Sequence, residues 1–239
     1  MSKRARTFAR IFCGALWLGL AGLPGAPAQD GGFRPLQEGE RLIYRILWPS
    51  GVTLGEAVFR VTPSGKQLQF QLTVEANLPQ YKLTGALSSV ATQDGLCSLQ
   101  FHQKIGEGPR QSEESIEFDQ AAHQARRSRG SQTTTEPIPE CARDPLTFLY
   151  YYRSQLAAGK TAGSGTVFGK SKYELRIEPA GSETLSVGGK PRPAEKFQVT
   201  YTGSSRERKF VLWFATGGAR VPLRVTLPSS LAEFSAELQ

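Results

Sequence analysis

The chain has 239 residues, 39% of them hydrophobic and 21% charged, with a formal net charge of +8. A chain of this size buries about 70% of its unfolded surface and can hold a core without outside help. The charge does not argue for nucleic acid: residues 1–28 carry four basic residues and no acidic one, and without them 25 basic residues face 21 acidic ones, a mild excess that points to no polyanionic partner.

Lys3, Arg4, Arg6 and Arg10 precede an apolar run from Ile11 to Leu23 and the small-residue exit Ala26-Pro27-Ala28. Basic start, short apolar centre and A-x-A exit form the pattern of a cleavable signal peptide over residues 1–28, and the run is too short for a spanning helix, which needs about 20 apolar residues. Cleavage leaves Gln29 to Gln239 as a periplasmic or secreted protein with no transmembrane helix. Export disfavours chemistry that depends on cytoplasmic nucleotide cofactors, and no cofactor is expected. Cys13 follows Arg10-Ile11-Phe12 instead of small residues, so no lipid-attachment site is expected there. Residues 29–38 read as a flexible arm ahead of a single domain over 39–239.

Beyond the arm the dominant pattern is alternation. Leu42, Tyr44, Ile46 and Trp48 share one face of a strand, and Leu68, Phe70, Leu72, Val74 and Ala76 alternate with Gln67, Gln69, Gln71, Thr73 and Glu75. Period two means β, with one side toward a core and the other toward water. The rhythm recurs around Phe101, Ile116-Phe118, Tyr173-Ile177, Phe197-Tyr201, Phe210-Phe214, Val221-Leu227 and Phe234-Leu238. Turn chemistry at Pro63-Ser64-Gly65, Gln93-Asp94-Gly95, Ala180-Gly181-Ser182, Gly188-Gly189 and Gly217-Gly218 separates the runs. These signals predict an all-β, mainly antiparallel protein of ten or more strands, a large curled sheet or open barrel-like wrap.

One segment breaks the pattern. Asp144 can cap a helix and Pro145 suits its first turn, and Leu146, Leu149, Tyr150 and Arg153 then recur at helical spacing beside a strip of Phe148, Tyr152 and Leu156. A helix near residues 144–156 is expected to cover the concave side of the sheet. Cys97 and Cys141 form an even pair in an oxidising compartment, which predicts one disulfide, the alternative being two buried free thiols.

Candidate chemistry is sparse. His102 and His123 have no metal-ligand neighbours at workable spacing, so no metal site is expected, and no G-x-S-x-G, H-E-x-x-H, Walker or Rossmann pattern occurs. Glu113-Glu114 and Glu117 supply carboxylates, but neighbours on a strand face opposite sides, and Glu113 and Glu117 share one face of a polar stretch, which reads as a solvated surface before it reads as a catalytic pair. Arg126-Arg127-Ser128-Arg129 is the densest positive cluster after the leader and reads as an exposed hairpin or loop. No catalytic residue is assigned. The aromatics are more suggestive: they are numerous enough to line a cavity inside a curved sheet, or to fill a packed core.

The stretch Glu40 to Trp48 followed by Val52-Thr53-Leu54-Gly55-Glu56-Ala57, the helix Asp144 to Arg153, and Trp213-Phe214 with Arg220-Val221-Pro222-Leu223-Arg224-Val225 together resemble the domain of unknown function 3108, a family of exported bacterial proteins. The resemblance spans about residues 38 to 239 and implies an all-β periplasmic protein, with no catalytic residue to carry over. Thr147 stands where the family pattern suggests serine, and the pattern does not require the cysteine pair. The leading expectation is a non-enzymatic envelope protein that binds an apolar or amphipathic small molecule or lipid, with Tyr44, Trp48, Tyr151 and Trp213 lining the site and Arg153 meeting an anionic head group. The rivals are an interaction module that pairs with another envelope protein, an unrecognised hydrolase using Glu113 or Asp144, and a membrane barrel, which the missing aromatic girdles disfavour.

Overall fold

The computed structural model describes residues 33–161, 163–203, 207–228 and 233–239. The leader over residues 1–28 and the start of the arm lie outside the described residues. A short helix, α1 (Arg34–Glu38), comes first, followed by β1 (Glu40–Leu47), β2 (Thr53–Ser64), β3 (Gln67–Asn77) and β4 (Lys82–Thr92). Next come β5 (Ser98–Glu107), β6 (Arg110–Asp119), β7 (Gln124–Arg129) and β8 (Gln132–Pro137). The helix α2 (Pro145–Ala157) separates these from β9 (Ser164–Phe168), β10 (Lys172–Val187), β11 (Lys190–Thr202), β12 (Glu207–Ala215), β13 (Pro222–Pro228) and β14 (Glu233–Leu238).

All fourteen strands form one antiparallel sheet in the order β8-β7-β6-β5-β4-β3-β2-β1-β14-β13-β12-β11-β10-β9. Two meanders, β1–β8 and β9–β14, are joined where the first strand pairs the last, with Tyr44 opposite Leu238 and Ile46 opposite Ala236. The sheet is curled and not closed into a barrel, leaving β8 and β9 as its two edges. Along this seam the Phe168 amide donates to the Arg143 carbonyl at 2.9 Å, and Arg127 Nη1 donates to the Gly169 carbonyl.

Helix α2 occupies the concave side because its sequence is apolar around most of the wheel. Leu146 and Tyr150 pack into a core with Phe59, Phe70, Phe101 and Ile116 from the first meander. Phe148, Tyr152 and Leu156 pack into a second core with Val167, Ile177, Phe197 and Phe214 from the other. The helix is thus gripped by both meanders. Its fit against β9 depends on Gly165, where a Cβ would come 2.5 Å from the Phe148 ring. The Cys97–Cys141 disulfide, with Cα atoms 4.5 Å apart and its cysteines 44 positions apart in sequence, ties the approach to α2 to the β4–β5 turn. In a chain-entropy view such a link contributes about 4 kcal/mol.

Two expectations are corrected. Residues 33–38 belong to the folded domain instead of a flexible arm, because Pro35 is buried and Phe33 and Leu36 pack on the first core. Ala180-Gly181-Ser182 is no turn: β10 runs through it for 16 residues, and one extra residue forms a bulge between Pro179 and Ser182 in the pairing with β11. Gly181 accommodates the bulge at φ 102°, a region that favours glycine. Beyond the bulge Leu185, Val187 and Ala194 cover Trp213 and Leu223, a third apolar cluster apart from the two that hold α2. The hairpin expected at Arg126 to Arg129 is present, as β7 paired with β8, and its alternation sends Arg126 outward and Arg127 inward, with side-chain exposures of 61% and 13%.

Candidate functional site

The inner face of the sheet is best followed in rows of paired residues running across the strands. The row nearest α2 runs Val61, Phe70, Ser89, Phe101, Ile116, and every member is buried. Two buried polar networks sit in this floor. Asp144 caps α2 by accepting from the Leu146 amide at 2.8 Å and the Thr147 amide at 3.2 Å, while Ser89 and Ser98 donate their hydroxyls to its other oxygen at 2.5 and 2.6 Å. Burial pushes this carboxyl above its usual range, and the two serines and the two amides counter that. Asp144 is therefore occupied on both oxygens as a structural acceptor.

The second network is built on Arg153, whose side chain is fully buried. It forms a two-point pair with Glu40, Nη1 to Oε2 at 2.7 Å and Nη2 to Oε1 at 3.0 Å. It also donates to the Arg220 and Ala219 carbonyls, both at 3.1 Å. Its guanidinium lies 4.4 Å from the Tyr150 ring centre, and the Tyr150 hydroxyl donates to Glu40. Burial alone would pull the Arg153 pKa down, but Glu40 and the hydroxyl-bearing neighbours raise it. The guanidinium is a permanent cation clamped at the end of α2.

Farther from α2 the same inner face opens. The next row runs Phe59, Leu72, Leu87, Gln103, Glu114; Phe59 is buried, but Leu72, Leu87 and Gln103 are half-buried. The row beyond runs Ala57, Val74, Gly85, Ile105, and its last three members are half-buried. On the other meander Leu175, Tyr201, Phe210, Leu212 and Val225 are likewise half-buried. The helix carries the same message. At about 100° per residue Leu149 lies at the centre of the arc from Phe148 to Tyr150, yet it is half-buried while Phe148, Tyr150, Arg153 and Leu156 are buried. Leu149 packs on both cores yet keeps part of its surface accessible, as do the apolar residues of the outer rows, so the inner face above the floor is apolar and partly open to solvent.

Two grooves elsewhere hold about 440 and 200 Å³. The larger is lined by Arg45, Glu56, Glu75 and Lys82 and the smaller by His102, Gln100 and Glu117, residues that alternate outward on their strands. These are polar features of the convex surface. Glu113 and Glu117 lie on that surface too, bonded to His102 and to Arg126. No cluster of three or more His, Cys, Asp or Glu side chains placed to hold a metal occurs among the described residues.

The structure distributes the residues singled out from sequence. Tyr44 and Arg153 come together near Glu40, with the Tyr44 hydroxyl donating to the Pro222 carbonyl at 3.0 Å and its pKa raised chiefly by burial. Arg153 cannot meet an outside head group while Glu40 occupies it and no surface is exposed. Trp48 sits at the far end of β1, 5.3 Å from the Phe234 ring. Tyr151 lies about 200° around the helix from Leu149, under the Arg143 guanidinium at 3.8 Å. Trp213 belongs to the third cluster and donates its indole N–H to Glu183 at 2.7 Å.

Sequence reasoning put Glu114 on the face opposite Glu113 but gave it neither burial nor partners. Its side chain is 4% exposed and meets Arg127 at 2.6 Å and Arg129 at 2.8 Å, while Arg127 reaches Glu136 at 2.8 Å. Burial pushes the Glu114 carboxyl up, but Arg129 and Arg127 outweigh it and hold the group below its usual range. The available signal was phase: Glu114 alternates with Ile116 and Phe118, both of which face inward.

Comparison with known proteins agrees with the architecture. The family model described as "Protein of unknown function (DUF3108)" matches residues 42–239. No curated protein matches the chain. A crystal structure of a beta-barrel-like protein of the domain of unknown function DUF1849 from Brucella abortus is 10% identical and covers 83% of this chain and 94% of that chain, with a TM-score of 0.60. That likeness concerns the fold alone. A second crystal structure, of a protein proposed to be a lipoprotein from Parabacteroides distasonis ATCC 8503, is 9% identical and covers 87% of this chain and 96% of that chain, with a TM-score of 0.34.

Proposed function

The chain belongs to the DUF3108 family, and from that premise we propose that it is an exported, non-enzymatic envelope protein whose open inner face holds an apolar or amphipathic ligand. The observation that carries this reading is the contrast between Leu149, half-buried at the centre of the inward arc of α2, and the buried residues on either side of it. Half-buried leucine, isoleucine and aromatic side chains on both meanders give an apolar molecule surface to cover, and burying that surface is favourable by about 25 cal/mol per Å². The non-enzymatic part is supported by what the buried groups already do, since Asp144 caps a helix and Glu40 neutralises Arg153. Among the described residues no helix is long and apolar enough to cross a membrane, and the basic, apolar and A-x-A order of residues 1–28 supports export.

Native mass spectrometry of the mature protein from an oxidising periplasm, set beside its denatured mass, tests this. Retained mass that is lost on unfolding and extracts as one lipid-like class is expected. A bare polypeptide that also fails to take up added amphiphiles would overturn the reading.

One observation favours interaction with another surface as a second reading. Val52 and Leu227, 59% and 49% exposed, are the large apolar side chains left exposed among the described residues. They flank the Trp48–Phe234 pair: the Trp48 amide donates to the Val52 carbonyl, and Leu227 pairs with Phe234 across β13 and β14. An apolar rim at one end of the sheet suits docking onto a partner in the envelope.

A further inference from the structure

We propose that Arg129 is the head-group anchor of the inner face and that the ligand is a single-chain anionic amphiphile lying across the strands. This rests on the ligand-holding role proposed above and adds its chemical class. The row Leu72, Leu87, Gln103, Glu114 is paired strand by strand, and the register of Ser115 with Ser128 places Arg129 beside Glu114 at its end. The row thus passes from aliphatic through amide to cation. From Leu72 on β3 to Arg129 on β7 are four strand spacings, about 19 Å, a span suited to a chain with its charged group at one end.

Arg129 differs from the other inward arginines in being available. Arg153 has a buried side chain fixed by Glu40, and Arg127 is 13% exposed and shared between Glu114 and Glu136. Arg129 is 50% exposed and spends one contact, Nη2 to Glu114 Oε2 at 2.8 Å. A guanidinium has five N–H donors in a planar fork, so the rest can take a carboxylate or phosphate oxygen pair. Glu114 holds the fork in place: Gln103 donates to its Oε2 at 3.3 Å, and Arg127 offsets its charge. The neighbouring aliphatic positions Leu87, Leu72 and Val74 are half-buried and unpolar, so the tail has a surface on the same row and the next.

Calorimetric titration of the mature, disulfide-bonded protein with dodecanoate and with dodecanol, each below its aggregation limit, tests the assignment. Dodecanoate is expected to bind roughly tenfold or more tightly than dodecanol, the scale of a charge-assisted hydrogen bond. Arg129→Gln should remove that preference and leave dodecanol unchanged, Arg129→Lys should restore part of it, and Leu87→Ser should weaken both ligands. Equal binding of the two ligands, or a preference that Arg129→Gln leaves intact, overturns the anchor while the open-face reading stands. Binding of neither ligand overturns both. Unchanged circular dichroism and melting of the variants show that the loss is local.

Discussion

The two ends of the inner face are built from the same strands with the same alternation, yet one is filled and the other is open. Near α2, Phe70 and Phe101 are 0% and 1% exposed; farther along the same strands, Leu72 and Ile105 are half-buried. The difference comes from what stands in front of them. Tyr150 packs 5.2 Å from both Phe59 and Phe70, whereas Leu149, which touches both cores, stays half-buried. Alternation therefore tells which side chains face inward but not what they meet, and a single helix converts one end of a curled sheet into core while leaving the other as surface.

This contrast can be broken most strongly in the floor. Removing the guanidinium in Arg153→Ala leaves Glu40 and the Tyr150 hydroxyl without their cation in a buried site, and a loss of about 3–5 kcal/mol is expected, as for other broken buried pairs. Urea unfolding reads it directly; a loss below about 1 kcal/mol would mean that water already reaches the pair. The paired truncations Phe70→Ala and Leu87→Ala sharpen the comparison. The first should cost about 3–5 kcal/mol, while the second, on the open row, should cost under about 2 kcal/mol. Equal costs would show that the upper row is packed as tightly as the floor.

The smallest expected effect is a pH dependence on the open side. Because its arginine partners hold the Glu114 pKa in the folded protein below the unfolded value, its stabilisation is present above the ordinary carboxylate range near about 4.3. It is lost as pH falls through the lower folded value. Glu114→Gln should flatten that acid limb in a series of urea midpoints. Asp144, shifted upward chiefly by burial, has the opposite sign: ionising it costs stability as pH rises from its unfolded value through its folded one.

How much was legible in sequence follows the range of the interactions. The alternation of Leu68 to Ala76 and the Asp144-Pro145 helix start are local signals, and both appear in the structure as β3 and as a capped α2. The Cys97–Cys141 bridge followed from compartment and parity. The partner of Arg153 lies 113 residues away on β1, and no local pattern pairs it with Glu40. Trp213 looked like a cavity residue because the fold-over of β10 and β11 depends on a bulge that a turn-like Ala-Gly-Ser disguised. The open face was illegible for a physical reason: the same leucines that line it could have filled a core, and the position of α2 decides between the two.

The open face is tested most directly by thiol accessibility on the two sides of this comparison within one helix. In the disulfide-bonded protein, Leu149→Cys and Leu156→Cys each introduce a single free thiol about two turns apart on α2, the first half-buried and the second 4% exposed. The account predicts that a small maleimide labels position 149 in the native state, that dodecanoate slows the labelling, and that position 156 reacts only after unfolding. Equal protection of both thiols in the native, ligand-free protein would contradict it, because the face in front of Leu149 would then be core.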